Sequence, residues 1–155
     1  MKKTFKSLCE DKGYIVYCDE SVISKVPSKI KGNVEIFKLD KYISDDDLEK
    51  EYESRGLIPA DPYSMLDFWD GEKYLGTHWK DTKGNWCYAT FYRWNDKRKV
   101  FVDRDGVGWD GYWWFAGVRR YEIKTSDTKN YLETLTLEKA IDICKENGLV
   151  VYEIK

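Results

Sequence analysis

The fold of this chain is decided by residues 68–121, FWDGEKYLGTHWKDTKGNWCYATFYRWNDKRKVFVDRDGVGWDGYWWFAGVRRY. All seven tryptophans of the protein lie within this stretch. After residue 72 the sequence takes on a period of two, which indicates β-strands. Short polar turns separate four such runs, at 73–80, 85–94, 98–104 and 112–124. Because consecutive strands joined by short turns pair antiparallel, the stretch predicts a four-stranded antiparallel meander over about residues 73–124.

Two helix–strand units flank the predicted meander. A helix over residues 4–12 precedes a strand over 14–17, and a helical stripe that ends before Gly148 precedes a strand over 149–152. Glycine after the last helical turn suits the left-handed position that ends a helix. We expect the two units to extend or cover the sheet. A chain of 155 residues has the length of one domain, so the sequence predicts a single α+β domain over residues 1–155.

The segment before the meander predicts two further helices. Ser44 is a good N-cap for a helix that continues to Gly56, and three aspartates follow at the positive end of its dipole: Asp45, Asp46 and Asp47. The apolar stripe of this helix consists only of Leu48 and Tyr52, so we expect the helix to be largely exposed. A second short helix begins at Asp61-Pro62, with aspartate as its cap and proline in its first turn.

The composition indicates a soluble cytoplasmic protein. Apolar residues make up 42% of the chain and aromatic residues 16%, which is enough for a core without disulfide staples. No apolar run approaches the ~20 residues of a membrane span, and the first residues do not form a secretion signal. Four cysteines without a CxxC pair, and a single histidine, are a poor ligand set for structural zinc. The sequence predicts reduced thiols, no metal site and no cofactor.

Charge is distributed unevenly along the chain. Residues 39–72 carry eleven acidic and three basic side chains, whereas residues 73–124 carry eleven basic and six acidic ones. The simplest interpretation is that the two segments are neighbours and neutralise each other. The alternative is that the acidic helix, with Asp45, Asp46 and Asp47, forms a charged binding face or imitates nucleic-acid phosphates toward a basic partner protein.

His78 and Cys87 form a candidate catalytic pair. If residues 81–84 are a four-residue hairpin loop, Lys80 faces Asn85 and His78 faces Cys87, with Cβ atoms ~5 Å apart. A cysteine beside a histidine is the minimal form of a thiol nucleophile with its base. The alternative is that both residues are part of a packed sheet. A register slip of one residue would place the two side chains on opposite faces.

Asp103 begins the sequence Asp103-Arg104-Asp105-Gly106, whose alternating aspartates are similar to the start of a calcium-binding loop. The complete loop needs a bidentate glutamate at its twelfth position, where this chain has Trp114. We therefore interpret the segment as an ordinary turn. Asp103 remains a candidate third member of a catalytic site with His78 and Cys87.

The aromatic stretch is also the candidate binding surface. One face of residues 85–94 presents Trp86, Tyr88, Thr90, Tyr92 and Trp94. Five arginines are expected at the rim of the sheet: Arg93, Arg98, Arg104, Arg119 and Arg120. Exposed rings among arginines suit stacking on bases, stacking on sugars, or anchoring a protein partner. Trp109 lies in the glycine-rich loop GVGWDG, where it is either an anchor for a partner or a plug in its own core. Trp113 is a further binding candidate.

These features favour a small, non-enzymatic binding protein that acts by stoichiometric protein–protein interaction. No phosphate loop, dinucleotide-binding fingerprint or nucleophile elbow is present. The overall character suggests a phage or mobile-element accessory protein, an inhibitor or an immunity protein. The first alternative is binding of single-stranded nucleic acid through a basic aromatic sheet. The second is an enzyme with an unfamiliar Cys/His/Asp site.

Overall fold

A computed structural model of the chain describes residues 3–104, 106, 108–119, 121–124 and 150–153. The helices within these ranges are α1 (Phe5–Asp11), α2 (Glu20–Ile23), α3 (Asp45–Ser54) and α4 (Pro62–Phe68). The strands are β1 (Ile15–Cys18), β2 (Val34–Lys38), β3 (Leu57–Pro59), β4 (Leu75–Lys80), β5 (Trp86–Trp94), β6 (Lys97–Arg104), β7 (Trp114–Arg119), β8 (Tyr121–Lys124) and β9 (Val150–Glu153).

Seven of the strands form one mixed sheet, so the fold is α+β. The order across the sheet is β1-β6-β5-β4-β7-β2, and β3 also pairs with β7. Strands β4, β5 and β6 form an antiparallel meander, whereas β1 runs parallel to β6 and β7 runs parallel to β4. Strands β8 and β9 pair antiparallel in a separate two-stranded sheet.

The predicted meander is wrong in its fourth strand. β7 does not lie next to β6, but on the far side of β4, where Leu75 pairs with Trp114 and Gly76 with Phe115. The reason is the connection over residues 105–113, which is much longer than a hairpin turn and so places no antiparallel constraint on the next strand. The predicted strand over 112–124 is also divided, into β7 and β8.

The N-terminal helix–strand unit extends the sheet, as expected. Thr4 caps α1 by accepting a hydrogen bond from the backbone N–H of Ser7, and β1 adds a parallel edge strand to β6. In the C-terminal unit the strand is present as β9, whereas the predicted helix before Gly148 lies outside the described residues.

Helices cover both faces of the seven-stranded sheet. The first face packs against α1, α2 and α4 in a core of sixteen buried residues that includes Phe5, Met65 and Phe91. The second face packs against α3 in a smaller core: Phe37, Ile43, Leu48, Tyr52, Leu57, Trp109 and Phe115. Within the described ranges, no helix has the length and apolar character that crossing a membrane requires.

Helix α3 is more deeply packed than its thin apolar stripe predicted. Ser44 caps it as expected, but Leu48 and Tyr52 are completely buried and Asp45 is only 8% exposed. Tyr52 fits because Gly117 lies beneath it, where a Cβ atom would come within 3.0 Å of its ring. The Tyr52 hydroxyl then donates a 2.7 Å hydrogen bond to the backbone oxygen of Ala116. Leu48 and Tyr52 therefore anchor this helix in the core of the second face.

Gly76 creates the space for Trp109 on the second face. A Cβ atom at Gly76 would overlap the six-membered ring of Trp109, which lies directly on the backbone of β4. The loop that carries Trp109 is fixed by two backbone hydrogen bonds with Ile43, of 2.9 and 2.8 Å. The absence of a side chain at residue 76 therefore decides where the long connection between β6 and β7 packs.

Gly76→Ala is expected to reduce the free energy of unfolding by about 1–3 kcal/mol, the usual cost of overpacking a core. Urea denaturation of both proteins measures the difference. The matched control is the same substitution in a Trp109→Leu background, where the clashing ring is absent and the added methyl group should cost much less. An equal cost in the two backgrounds would contradict this explanation of Gly76.

Candidate functional site

The predicted pairing of His78 with Cys87 is wrong by one residue. His78 pairs with Tyr88, and Cys87 pairs with Trp79. The hairpin turns over three residues, because the Asp81 N–H donates to the Asn85 oxygen at 2.9 Å and Gly84 takes a left-handed φ of 82°. This shorter turn shifts the register, and successive residues of a strand point to opposite faces. His78 and Cys87 therefore lie on opposite faces of the sheet.

Asp103 does not complete a catalytic site either. Asp103 pairs with Tyr88 and therefore shares a face with His78, but strand β5 lies between the two residues. Its carboxylate accepts a 2.8 Å hydrogen bond from the Arg104 N–H. Cys87 is buried in the core of the first face. The described residues thus do not assemble the Cys/His/Asp site, and none of their His, Cys, Asp and Glu side chains form a group of three that could hold a metal ion.

His78 is instead the centre of a buried polar cluster beneath α3. Its Nδ1 lies 2.8 Å from Oδ1 of Asp45, and its Nε2 lies 3.2 Å from Oε2 of Glu49. The contact with Asp45 is a hydrogen bond. The contact with Glu49 is within ion-pair distance but does not have hydrogen-bond geometry. The imidazole is stacked on the indole of Trp86 with ring centroids 4.1 Å apart. Sheet and helix thus enclose His78 completely.

The contacts of Asp45 fix the proton on His78 Nδ1. Oδ1 of Asp45 also accepts a 2.8 Å hydrogen bond from Nε1 of Trp109, so it serves two donors. With Nδ1 as a donor, the Nε2 of a neutral imidazole would turn its lone pair toward the Glu49 carboxylate. A proton at Nε2 removes this repulsion. Burial lowers the pKa of His78, but the hydrogen bond to Asp45 and the negative charges of Asp45 and Glu49 outweigh burial, and the pKa is raised above its ordinary value.

Beside this cluster, the second face of the sheet opens into a cavity of about 870 Å³, here called the aromatic groove. Thr90 lies on its floor, and Gly106 and Gly108 form part of its wall. Eight aromatic side chains line it: Tyr74, Tyr88, Tyr92, Trp94, Phe101, Trp109, Tyr112 and Trp113. The alternation along β5, which turns Tyr88, Tyr92 and Trp94 to one face, was visible in the sequence. The contribution of Tyr74 and Tyr112 was not, because it depends on the parallel pairing of β4 with β7.

Most of the exposed large apolar side chains lie at the aromatic groove. Trp94 and Tyr112 line it and are 57% and 52% exposed. Tyr17 stacks on the groove residue Phe101, and the hydroxyl of Tyr42 lies against Gly108. Of the five such residues in the described ranges, Phe68 alone lies elsewhere. A concave cluster of exposed rings is typical of a binding site rather than of ordinary surface.

The predicted basic aromatic surface is wrong, because the arginines and the rings point in different directions. Arg93, Arg98 and Arg104 lie on the first face of the sheet, where Arg93 pairs with Glu72 and Arg104 donates to Ser21. Arg119 forms an ion pair with Glu35 at the far edge. Arg120 lies outside the described residues. Among the described residues, the charged side chains that line the groove are Lys99 and Asp45, and Asp45 is already hydrogen-bonded.

The other predicted binding residues are divided between core and surface. Trp109 is a plug in its own core: it is only 4% exposed, so it does not offer the anchor that its glycine-rich loop suggested. Trp113 is partly buried and does line the aromatic groove. On α3, Asp45 belongs to the buried cluster, whereas Asp46 accepts a 2.9 Å hydrogen bond from Trp86 and Asp47 is exposed. Of the three predicted aspartates, only Asp46 and Asp47 thus lie at the surface.

Comparison with protein-family models, with curated proteins and with solved structures found no match.

Because the pKa of His78 is raised by folding, the proton at His78 stabilises the native state below about pH 6.5 and this contribution is lost as pH rises through the folded pKa. We expect the free energy of unfolding to fall as the pH rises above about 6.5, the ordinary pKa of histidine, and the measurement is kept below about pH 7.5, where unperturbed thiols are still mostly protonated. Urea denaturation across this range measures the slope.

His78→Asn is the matched variant for this slope. Asparagine keeps an N–H near the position of Nδ1 for Asp45, but it cannot take up a proton. Since His78 is the only histidine in the chain, the variant should lose most of the pH dependence. An unchanged slope in His78→Asn would show that the cluster does not bind the proton.

Proposed function

We propose that this protein acts by stoichiometric binding to another protein, and that the aromatic groove is the binding site. The observation that carries the proposal is that Trp94 and Tyr112 line the groove, and that Tyr17 and Tyr42 contact the groove residues Phe101 and Gly108. These are four of the five exposed large apolar residues in the described ranges. Tryptophan and tyrosine are the side chains most enriched among residues that dominate protein–protein binding energy.

The packing of the groove supports its use as a preformed site. Trp109 and Trp113 are in edge-to-face contact with centroids 5.5 Å apart, and Trp109 is hydrogen-bonded to Asp45. The walls are thus held by the same contacts that hold the core. A rigid site loses little conformational entropy on binding, so more of the contact energy contributes to affinity.

Single-stranded nucleic acid is the weaker alternative. Stacking on Tyr, Trp and Phe is available in the groove, but Lys99 is the one cation among its described lining residues. Proteins that bind nucleic-acid strands neutralise several phosphates, and their arginines and lysines follow the backbone. Here the arginines of β5 and β6 lie on the opposite face.

The cytoplasmic location and a role as a phage accessory, inhibitor or immunity protein stay predictions from the character of the sequence.

The proposal is tested by affinity capture with three forms of the protein: wild type, Trp94→Ala/Tyr112→Ala, and Phe68→Ala. Phe68 is the matched control, because it is also large and exposed but lies outside the groove. We expect a partner protein that wild type and Phe68→Ala recover equally, and that the double variant recovers at least about tenfold less. Native mass spectrometry of the recovered complex should give a fixed stoichiometry. Equal recovery of every captured protein by all three forms would contradict the proposal.

A further inference from the structure

The seven-stranded sheet divides at the end of β4. Up to Gly76, β4 pairs with β7, but residues 117–119 of β7 pair with β3 instead. β3 and β4 meet where the Thr77 hydroxyl donates a 2.7 Å hydrogen bond to the Ala60 oxygen, yet no ladder joins these two fully described strands. The space between them, here called the fork, is therefore a gap in the sheet.

A cavity of about 880 Å³ lies at the fork and is lined from both faces of the sheet. Trp79 lies on the first face, because it pairs with Cys87, and it lines the cavity together with apolar side chains of the loop before β2, Pro27 and Ile30. From the second face, α3 contributes three carboxylates at helical spacing: Asp46, Glu49 and Glu53. The fork thus has an apolar side and an acidic side, which an unbroken sheet would keep apart.

The edge of β4 that faces the fork has backbone groups that the sheet does not use. In an antiparallel ladder, alternate residues direct their N–H and C=O toward the partner strand. At the turn, the Asp81 N–H donates to the Asn85 oxygen. Counting back along β4, the backbone groups of Lys80 and His78 therefore point away from β5 and into the fork. Across the fork, Pro59 of β3 has no N–H that a ladder could use.

Carboxylates outnumber cations around the fork. Asp46 and Glu53 are exposed on its acidic side. Within the described residues that line it, the cations are Lys50, whose ammonium group lies 3.7 Å from Asp47, and Lys80, which lies over an indole ring. Because complementary charge steers association and sets specificity, the acidic side favours a ligand with positive charge.

A buried nitrogen at the inner end of the fork also points to a cationic ligand. His78 lines this cavity, and its Nε2 is buried without a hydrogen-bond partner among the described residues. In the neutral imidazole this atom is an acceptor, and its neighbour at 3.2 Å, Oε2 of Glu49, is an acceptor too. A positively charged N–H donor at Glu49 would offset the repulsion between them. The ammonium group of a lysine side chain is such a donor.

We propose that the fork binds an extended segment of another protein in which lysine alternates with apolar residues. Added to the edge of β4, such a strand exchanges backbone hydrogen bonds with His78 and Lys80. Since successive side chains of a strand point to opposite faces, the lysines meet the carboxylates of α3 while the apolar side chains meet Pro27, Ile30 and Trp79. The fork and the aromatic groove share no lining residue, so this proposal does not depend on the function proposed above.

The probe for this proposal is the acetylated and amidated peptide Lys-Val-Lys-Val-Lys, titrated into the full chain in a calorimeter. We expect saturable binding that Asp46→Asn/Glu53→Gln weakens about fivefold, the effect of losing two exposed ion pairs. The matched control is Asp47→Asn/Glu51→Gln, which removes the same charge from α3 outside the cavity and should leave the affinity nearly unchanged. Circular dichroism checks that both variants fold.

Hydrogen exchange measured by NMR tests whether the peptide adds a strand. The backbone N–H of Lys80 points into the fork, so it should exchange several-fold more slowly when the peptide is saturating. An unchanged exchange rate at Lys80 would show that the peptide binds through its side chains alone, and would overturn the proposed strand addition.

Three further ligands separate this binding mode from attraction by charge alone: Glu-Val-Glu-Val-Glu, the isomer Lys-Lys-Lys-Val-Val, and spermidine. The proposal requires that each binds more weakly than the alternating lysine peptide. It is overturned if that peptide shows no saturable binding, if the two double variants of α3 weaken binding equally, or if the isomer or spermidine binds as tightly.

The aromatic groove provides the last control. Trp94→Ala/Tyr112→Ala should bind the alternating lysine peptide as wild type does, because neither residue lines the fork. Loss of peptide binding in this variant would place the peptide in the groove and contradict the proposal. Equal recovery of captured proteins by the same variant bears on the function of the groove and leaves binding at the fork unaffected.

Discussion

The second face of the sheet depends on one carboxylate oxygen. Oδ1 of Asp45 accepts hydrogen bonds from His78 on β4 and from Trp109 in the connection to β7, and so joins a helix, a strand and a loop at a single buried point. A buried donor left without an acceptor costs about 1–3 kcal/mol, and here two donors share the acceptor. This constraint explains why α3 holds its place with so small an apolar stripe, and why the long loop has a fixed path.

The same arrangement separates the aromatic residues by role. Strand alternation sends Phe91 and Cys87 into the first core and turns Tyr88, Tyr92 and Trp94 to the second face. α3 and Trp109 cover part of that second face, and the part they leave open is the aromatic groove. The arginines of β5 and β6 follow the opposite alternation: Arg93 pairs with Glu72, Arg98 donates to the backbone oxygen of Gly71, and Arg104 donates to Ser21 of α2. Among the described residues, the open part of this face thus presents eight rings beside one lining cation, Lys99.

Local chemistry made part of this structure predictable. The caps at Ser44 and Asp61 and the period of two in β4 and β5 are short-range signals, and each gave the correct element. What failed depended on long-range or very fine geometry. The three-residue turn at Gly84 differs from a four-residue turn by one position, yet it places His78 and Cys87 on opposite faces of the sheet. The parallel pairing of β7 with β4 joins segments about forty residues apart, and no local pattern encodes it. Trp109 is buried because Gly76 leaves space for it, a match that neither residue shows alone.

The position of Trp109 couples the aromatic groove to the buried proton site at His78. One edge of its indole donates to the oxygen that also holds His78, and the ring forms part of the groove wall. A ligand that shifts this ring alters the strength of the hydrogen bond at Asp45, and therefore the proton affinity of the cluster. By linkage, protonation of the cluster must then alter the affinity for that ligand by the same factor. Binding of such a ligand in the groove should accordingly release or take up protons. Calorimetry in buffers of different ionisation enthalpy measures the number of protons exchanged. A heat of binding that is independent of the buffer would show that Trp109 does not couple the groove to the proton affinity of His78.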